Sequence, residues 1–149
     1  MAAKPLSDDL KAAGLEMLGE LDRVGLGPQG ALWLYAHYLG DWRYAVVSDL
    51  VNALGRHRLY DLIGTALDRI GPIHGLTIFD VHLFDTSETM PQVLSAIRVD
   101  GGAATITDCI VNGMLTDAYV YRLVPSRNKR EVRLAAKAFE RSVQQLIAA

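Results

Sequence analysis

Asn112-Gly113 restricts this chain more than any other pair of residues, because a two-residue type I′ turn needs positive φ at both central positions and Asn-Gly adopts it with little strain. The pair lies between Ala104–Val111 and Met114–Val124, two stretches of β-forming residues, and predicts an antiparallel hairpin. Gly40-Asp41 predicts a second one. Trp33, Tyr35 and Tyr38 precede it, and Trp42, Tyr44, Val46 and Val47 follow. With Gly40-Asp41 as the loop, Leu39 would pair with Trp42, His37 with Tyr44 and Tyr35 with Val46. One face would carry Trp33, Tyr35, His37, Leu39, Trp42, Tyr44 and Val46, and the other Leu32, Leu34, Ala36, Tyr38, Arg43, Ala45 and Val47. Both faces are largely apolar, so both need a cover.

Helical spacing fills the remainder. Ser7 caps a first helix with Asp8 and Asp9 in its first turn and Leu10, Ala13, Met17, Leu18, Leu21 and Val24 on its buried stripe, and Gly25-Leu26 closes it. A second helix is expected from about Asn52 to Ile70, burying Leu59, Leu62, Ile63, Ala66, Leu67 and Ile70 and ending at Gly71-Pro72. Leu76 to Phe84 reads as a single strand, with Asp80 and His82 on one face. Thr89-Met90-Pro91-Gln92 opens a short helix to about Ile97. Asn128-Lys129-Arg130-Glu131 is a capping box for a terminal helix that buries Val132, Ala135, Phe139, Val143 and Leu146.

The expected fold is a single α+β domain over residues 1–149, in the order α-ββ-α-β-α-ββ-α. It has five strands in a mostly antiparallel sheet, four helices, a flexible N-terminus over residues 1–6 and a basic amphipathic helix within 126–149. Half of the 149 residues are hydrophobic, enough for one core, and the net charge is -2. The lone Cys109 argues against a disulfide-stapled scaffold, and no h-region or run of about eighteen apolar residues marks a secreted or membrane chain. A cytoplasmic location without membrane contact is expected.

Three features bear on function. In the Asn112-Gly113 hairpin, register places Asp108 opposite Asp117 on the face that also carries Ile106, Ile110, Leu115, Tyr119 and Tyr121. Two facing carboxylates on a buried side must share a proton, meet a cation or bind a metal. Were the middle strand to neighbour this hairpin, Asp80 and His82 would complete a cluster able to hold Mg²⁺ or Mn²⁺ and cleave phosphodiesters. No nuclease or metal-ligand spacing accompanies the four. Bulging of the hairpin, or pairing of Asp117 with Arg122 or Arg98, accounts for them without chemistry.

The second feature is charge asymmetry. Residues 126–149 hold six basic and two acidic side chains, +4, while the remainder holds nine and fifteen, -6. Arg130, Arg133, Lys137 and Arg141 share one helix face, suited to phosphate or partner contact, nucleic acid included, and equally to plain solvation. Third, Trp33, Tyr35, Trp42 and Tyr44 form an aromatic face that serves a planar ligand, a dimer seam or a core under helices. Cys109 lies mid-strand with nothing to lower its pKa, and no glycine-framed nucleophile or phosphate loop is present. The reading that follows is a non-catalytic protein-interaction or regulatory module, a homodimer with no cofactor. The metal-dependent phosphodiesterase or nuclease is the alternative.

Overall fold

The computed structural model describes residues 4–37, 40–71, 73, 75–94, 103–111 and 114–148. Its elements are α1 (Asp8–Arg23), β1 (Gly30–Ala36), β2 (Asp41–Val47), α2 (Leu50–Leu54), α3 (Arg56–Asp68), β3 (Val81–Phe84), α4 (Thr89–Leu94), β4 (Ala104–Val111), β5 (Met114–Leu123) and α5 (Lys129–Ala148). One five-stranded sheet has the order β3-β2-β1-β5-β4. The α+β architecture is as expected, but the sheet is mixed, because β3 runs parallel to β2 while every other neighbour is antiparallel.

The main core lies on one face of the sheet, where α1, α3 and α5 bury Met17, Leu21, Leu59, Ile63, Phe139 and Val143 against Trp33, Tyr44, Val46 and Tyr121. A smaller core lies on the opposite face, where Met90 and Leu94 of α4 meet Leu32, Ala45, Val47, Ala118 and Val120. The apolar alternation of β1 and β2 thus has its cover on both sides.

Helix ends follow local chemistry. Ser7 Oγ accepts from Leu10 N at 3.2 Å at the start of α1. At its end Gly25 takes φ 95°, and Leu26 N donates to Leu21 O at 3.0 Å, which satisfies carbonyls the helix leaves free. Asn128 Oδ1 accepts from Glu131 N at 2.9 Å at the start of α5.

Four expectations need correction. The single helix over Asn52–Ile70 is two, because Gly55 adopts φ 86°, a conformation outside the helical region that glycine tolerates and that divides α2 from α3. Ile70, placed on the buried stripe, lies past the end of α3 and is exposed. The strand over Leu76–Phe84 is only Val81–Phe84. Asp80 Oδ2 accepts from Thr77 N at 2.8 Å and Thr77 Oγ1 from Phe79 N at 3.2 Å, a reciprocal cap that bends Ile78–Asp80 into a 3₁₀ turn and leaves Phe79 92% exposed. The first hairpin pairs Tyr35 with Trp42 and Ala36 with Asp41, so Gly40, at φ 66°, is the last residue of a longer connection in which its N–H meets Ala36 O. This pairing differs from the expected one by an even number of residues, which preserves both faces.

The second hairpin starts in the expected register, with Val111↔Met114, Ile110↔Leu115 and Cys109↔Thr116, and then shifts, so that Ile106 pairs with Ala118. Thr107 and Asp108 form a bulge opposite Asp117, so Asp108 and Asp117 are not the directly facing pair that an unbroken ladder would make. Ile106 moves with Ala118 to the α4 face, away from Tyr119 and Tyr121. Asn112-Gly113 and residues 95–97 of the expected short helix lie outside the described residues.

Candidate functional site

The sheet order decides which of the four candidate metal ligands can meet. Asp80 and His82 belong to the β3 edge and Asp117 to β5, and β2 and β1 lie between. Neighbouring strands are about 4.8 Å apart, so β3 and β5 stand about 14 Å from each other. Asp80 already caps Thr77. Burial and the nearby Arg43 cation lower the proton affinity of the half-buried His82, and Asp80 opposes this only in part. Asp117 is buried beside β1, opposite Tyr35, with its Oδ1 3.6 Å from His37 Nε2. Arg122 forms a bidentate pair with Asp22, both contacts at 2.8 Å. Among the described residues no three His, Cys, Asp or Glu side chains gather closely enough to hold a metal.

The aromatic face is the floor of the main core. Trp33 and Tyr44 are buried beneath α1 with ring centroids 5.1 Å apart, edge to face, and Tyr35 packs on Trp42 at 5.2 Å. The polar atoms of Trp33, Trp42 and Tyr44 reach backbone carbonyls. Trp33 Nε1 donates to Leu10 O and to Tyr121 Oη, both at 3.1 Å, and Tyr121 Oη donates to Lys11 O at 2.6 Å. Tyr44 Oη donates to Gly14 O at 2.8 Å and Trp42 Nε1 to Lys4 O at 2.8 Å. Tyr121 was grouped only with the hairpin's apolar side, and the signal for its role is the glycine at position 14, which lets α1 descend onto the sheet.

Burial pushes the Tyr121 hydroxyl up to about 12, and burial together with Tyr121 raises Tyr44 further. Both phenols keep their protons where those of an unfolded chain lose them, above about pH 10. Stability from this source is therefore intact below pH 10 and declines as pH climbs toward 12, because the unfolded state then binds fewer protons than the folded one. Urea titrations between about pH 8 and pH 12 are expected to show that decline. Tyr121→Phe should start less stable and fall less steeply, and an equal slope in the variant would refute the assignment.

A buried ion pair escapes sequence reading altogether. Asp49, at the head of α2, accepts from Arg127 Nε at 2.9 Å, Nη2 at 2.6 Å and backbone N at 3.1 Å. Its own N–H donates to Gln29 Oε1 at 2.8 Å, and Gln29 O accepts from Val124 N at 2.8 Å. The bidentate pairing holds Arg127 still more firmly protonated. Three chain connections are thereby tied together, a structural duty.

The four cations of α5 are exposed, and no ion pair engages Arg130, Arg133, Lys137 or Arg141 among the described residues. Their neighbour Glu140 binds Arg58 of α3 at 3.3 Å.

The sheet's two edges are finished in opposite ways. On β3, Tyr60 Oη donates to Val81 O at 2.7 Å and accepts from Leu83 N at 3.0 Å, while the Arg56 guanidinium, paired with Glu88, binds Leu83 O. The outer backbone groups of that short strand are thus taken up by side chains of α3. On β4, which is twice as long, the only backbone partner among the described residues is β5. Five of its eight residues are β-branched, Asp108 is its sole charge, and the bulge is its only break. Beside it a groove of about 610 Å³ runs between α1 and β5, lined by Leu15, Leu18, Ala103 and Tyr119 and by the charged Lys11, Asp22 and Arg122, with Leu15 60% exposed.

No family model matches the chain, and neither the curated proteins nor the solved structures contain a significant match to it. No helix among the described residues is long and apolar enough to cross a membrane.

Proposed function

We propose that the domain is a non-catalytic, cytoplasmic protein-interaction module whose working surface is the open β4 edge and the groove beside it. The observation that carries this reading is the contrast between the edges. Natural sheets blunt an edge with charge, proline, shortness or a covering segment, and β3 has shortness and the cover of Tyr60 and Arg56. Among the described residues nothing covers most of β4, which carries one charge and no proline, and a row of unpaired backbone groups is what an added strand binds. Asp80 is held in a cap, Asp49 in a buried ion pair, and Tyr44 and Tyr121 hold α1.

Hydrogen exchange on the dilute protein tests it. The outward amides of β4 are expected to exchange far faster than those of β1 and β5, and the Leu83 amide on the opposite edge to be protected. Tyr60→Phe should release the Leu83 amide and destabilise the fold by about 1 kcal/mol, the ordinary worth of a hydrogen bond. Slow exchange throughout β4 in the monomer would mean that its edge is already covered and would overturn the reading. So would hydrolysis of bis(p-nitrophenyl) phosphate with Mn²⁺ or Mg²⁺ that disappears in Asp117→Asn.

A further inference from the structure

We infer that the occupant of the β4 edge is a second copy of this chain, joined antiparallel through β4 about a two-fold axis perpendicular to the sheet; this rests on the interaction reading above. Such an axis keeps like faces on like sides, so the two sheets become one and both α1 helices lie over the same face. The groove of each copy opens at the joined edge, because Ala103 directly precedes β4 and Tyr119 pairs with Thr105 within the sheet. Joining the edges brings the two grooves together and gives the exposed Leu15 of each copy an apolar neighbour, which a short peptide strand would not do.

The strand is also complementary to itself. Ala104–Ile106 is regular and Thr107 opens the bulge; pairing centred on Ile106 sets Thr105 opposite Thr107 of the other copy twice over, with Ile106 facing Ile106. Thr–Thr pairs are favourable across strands. In this register Asp108 stands opposite Ala104 and no like charges face each other, whereas centring on the bulge would oppose the two Asp108 residues. An edge with one charge in eight residues offers little to an acidic or basic peptide and suits a partner of its own composition.

Sedimentation equilibrium from low to high micromolar concentration is expected to carry the mass from 16.3 kDa to twice that value. Amide protection should spread over Thr105 to Thr107 in parallel. Thr105→Lys/Thr107→Lys places lysine opposite lysine and should weaken association about tenfold or more, with an unchanged far-ultraviolet circular dichroism spectrum. Thr105→Glu/Thr107→Glu should do the same, and mixing the two variants should restore a dimer containing one of each, which a merely misfolded variant cannot give. A dimer unaffected by either double substitution, or a mixture that stays monomeric, overturns the β4 pairing. A mass of 16.3 kDa at the highest concentration with β4 amides still exchanging fast overturns the second copy alone, whereas β4 amides protected in the dilute monomer overturn the interaction reading beneath it.

Discussion

Gly14→Ala is expected to destabilise the domain by about 2 to 3 kcal/mol, although glycine-to-alanine in an exposed helix interior normally gains up to about 1 kcal/mol. A Cβ at this position would lie 2.5 Å from Tyr121 Oη, 2.6 Å from Trp33 Nε1 and 2.8 Å from Tyr121 Cε2. None of these atoms is the loose end of a flexible chain. Tyr121 Oη is held by Lys11 O and Trp33 Nε1 by Leu10 O, and both rings are wedged in the core. The helix must therefore lift or the ring must turn, and either response stretches hydrogen bonds worth about 1 kcal/mol each. Gly19, five residues on, is the matched control: it is exposed, and an added Cβ would meet nothing within 4 Å. Gly19→Ala should stabilise by about 0.5 to 1 kcal/mol. Urea denaturation of both variants checks the pair, and a Gly14→Ala protein as stable as Gly19→Ala would show that α1 does not sit this close to the sheet.

The difference between these two glycines also marks how far the chain can be read without coordinates. Local signals carried through: the Ser7 and Asn128 caps, the Gly25-Leu26 closure and the opposite faces of β1 and β2 all depend on residues close in sequence. Register was less secure. Gly40 marks a turn without saying how many residues it spans, and Asn112-Gly113 sets only the first rungs of its ladder, before the Thr107-Asp108 bulge turns Ile106 to the other face. Thr77 and Asp80 read as strand residues by composition, yet the Asp80 side chain binds the Thr77 backbone and the Thr77 side chain that of Phe79, and these local bonds win. Strand order has no local signal at all. Two hairpins can be assembled around a lone strand in several ways, and β3 joins the β1–β2 hairpin on the side away from β5, which separates His82 from Asp117. The exposed α5 cations were readable as a stripe, whereas the β4 edge became visible only once the treatment of β3 was known.

Arg127→Met is expected to lower stability by about 3 kcal/mol, because it strands a carboxylate rather than merely deleting a contact. The Asp49 side chain is 2% exposed and receives both guanidinium hydrogen bonds of Arg127, so the variant leaves it buried with the backbone N–H of residue 127 as its remaining donor. Arg127→Lys should fall between the two, since one ammonium cannot replace a planar fork on both oxygens. The informative variant is the double one. Asp49→Leu/Arg127→Met removes the charge together with its partner, and buried pairs replaced as a unit by apolar residues are often neutral. It should recover to within about 1 kcal/mol of the natural protein, with a coupling of at least about 2 kcal/mol between the two positions. The predicted order in urea is therefore single variant below double variant, despite the greater number of changes in the latter. A double variant that falls as far as Arg127→Met would locate the effect in the arginine's packing against the α2–α5 junction rather than in the unpaired Asp49 charge.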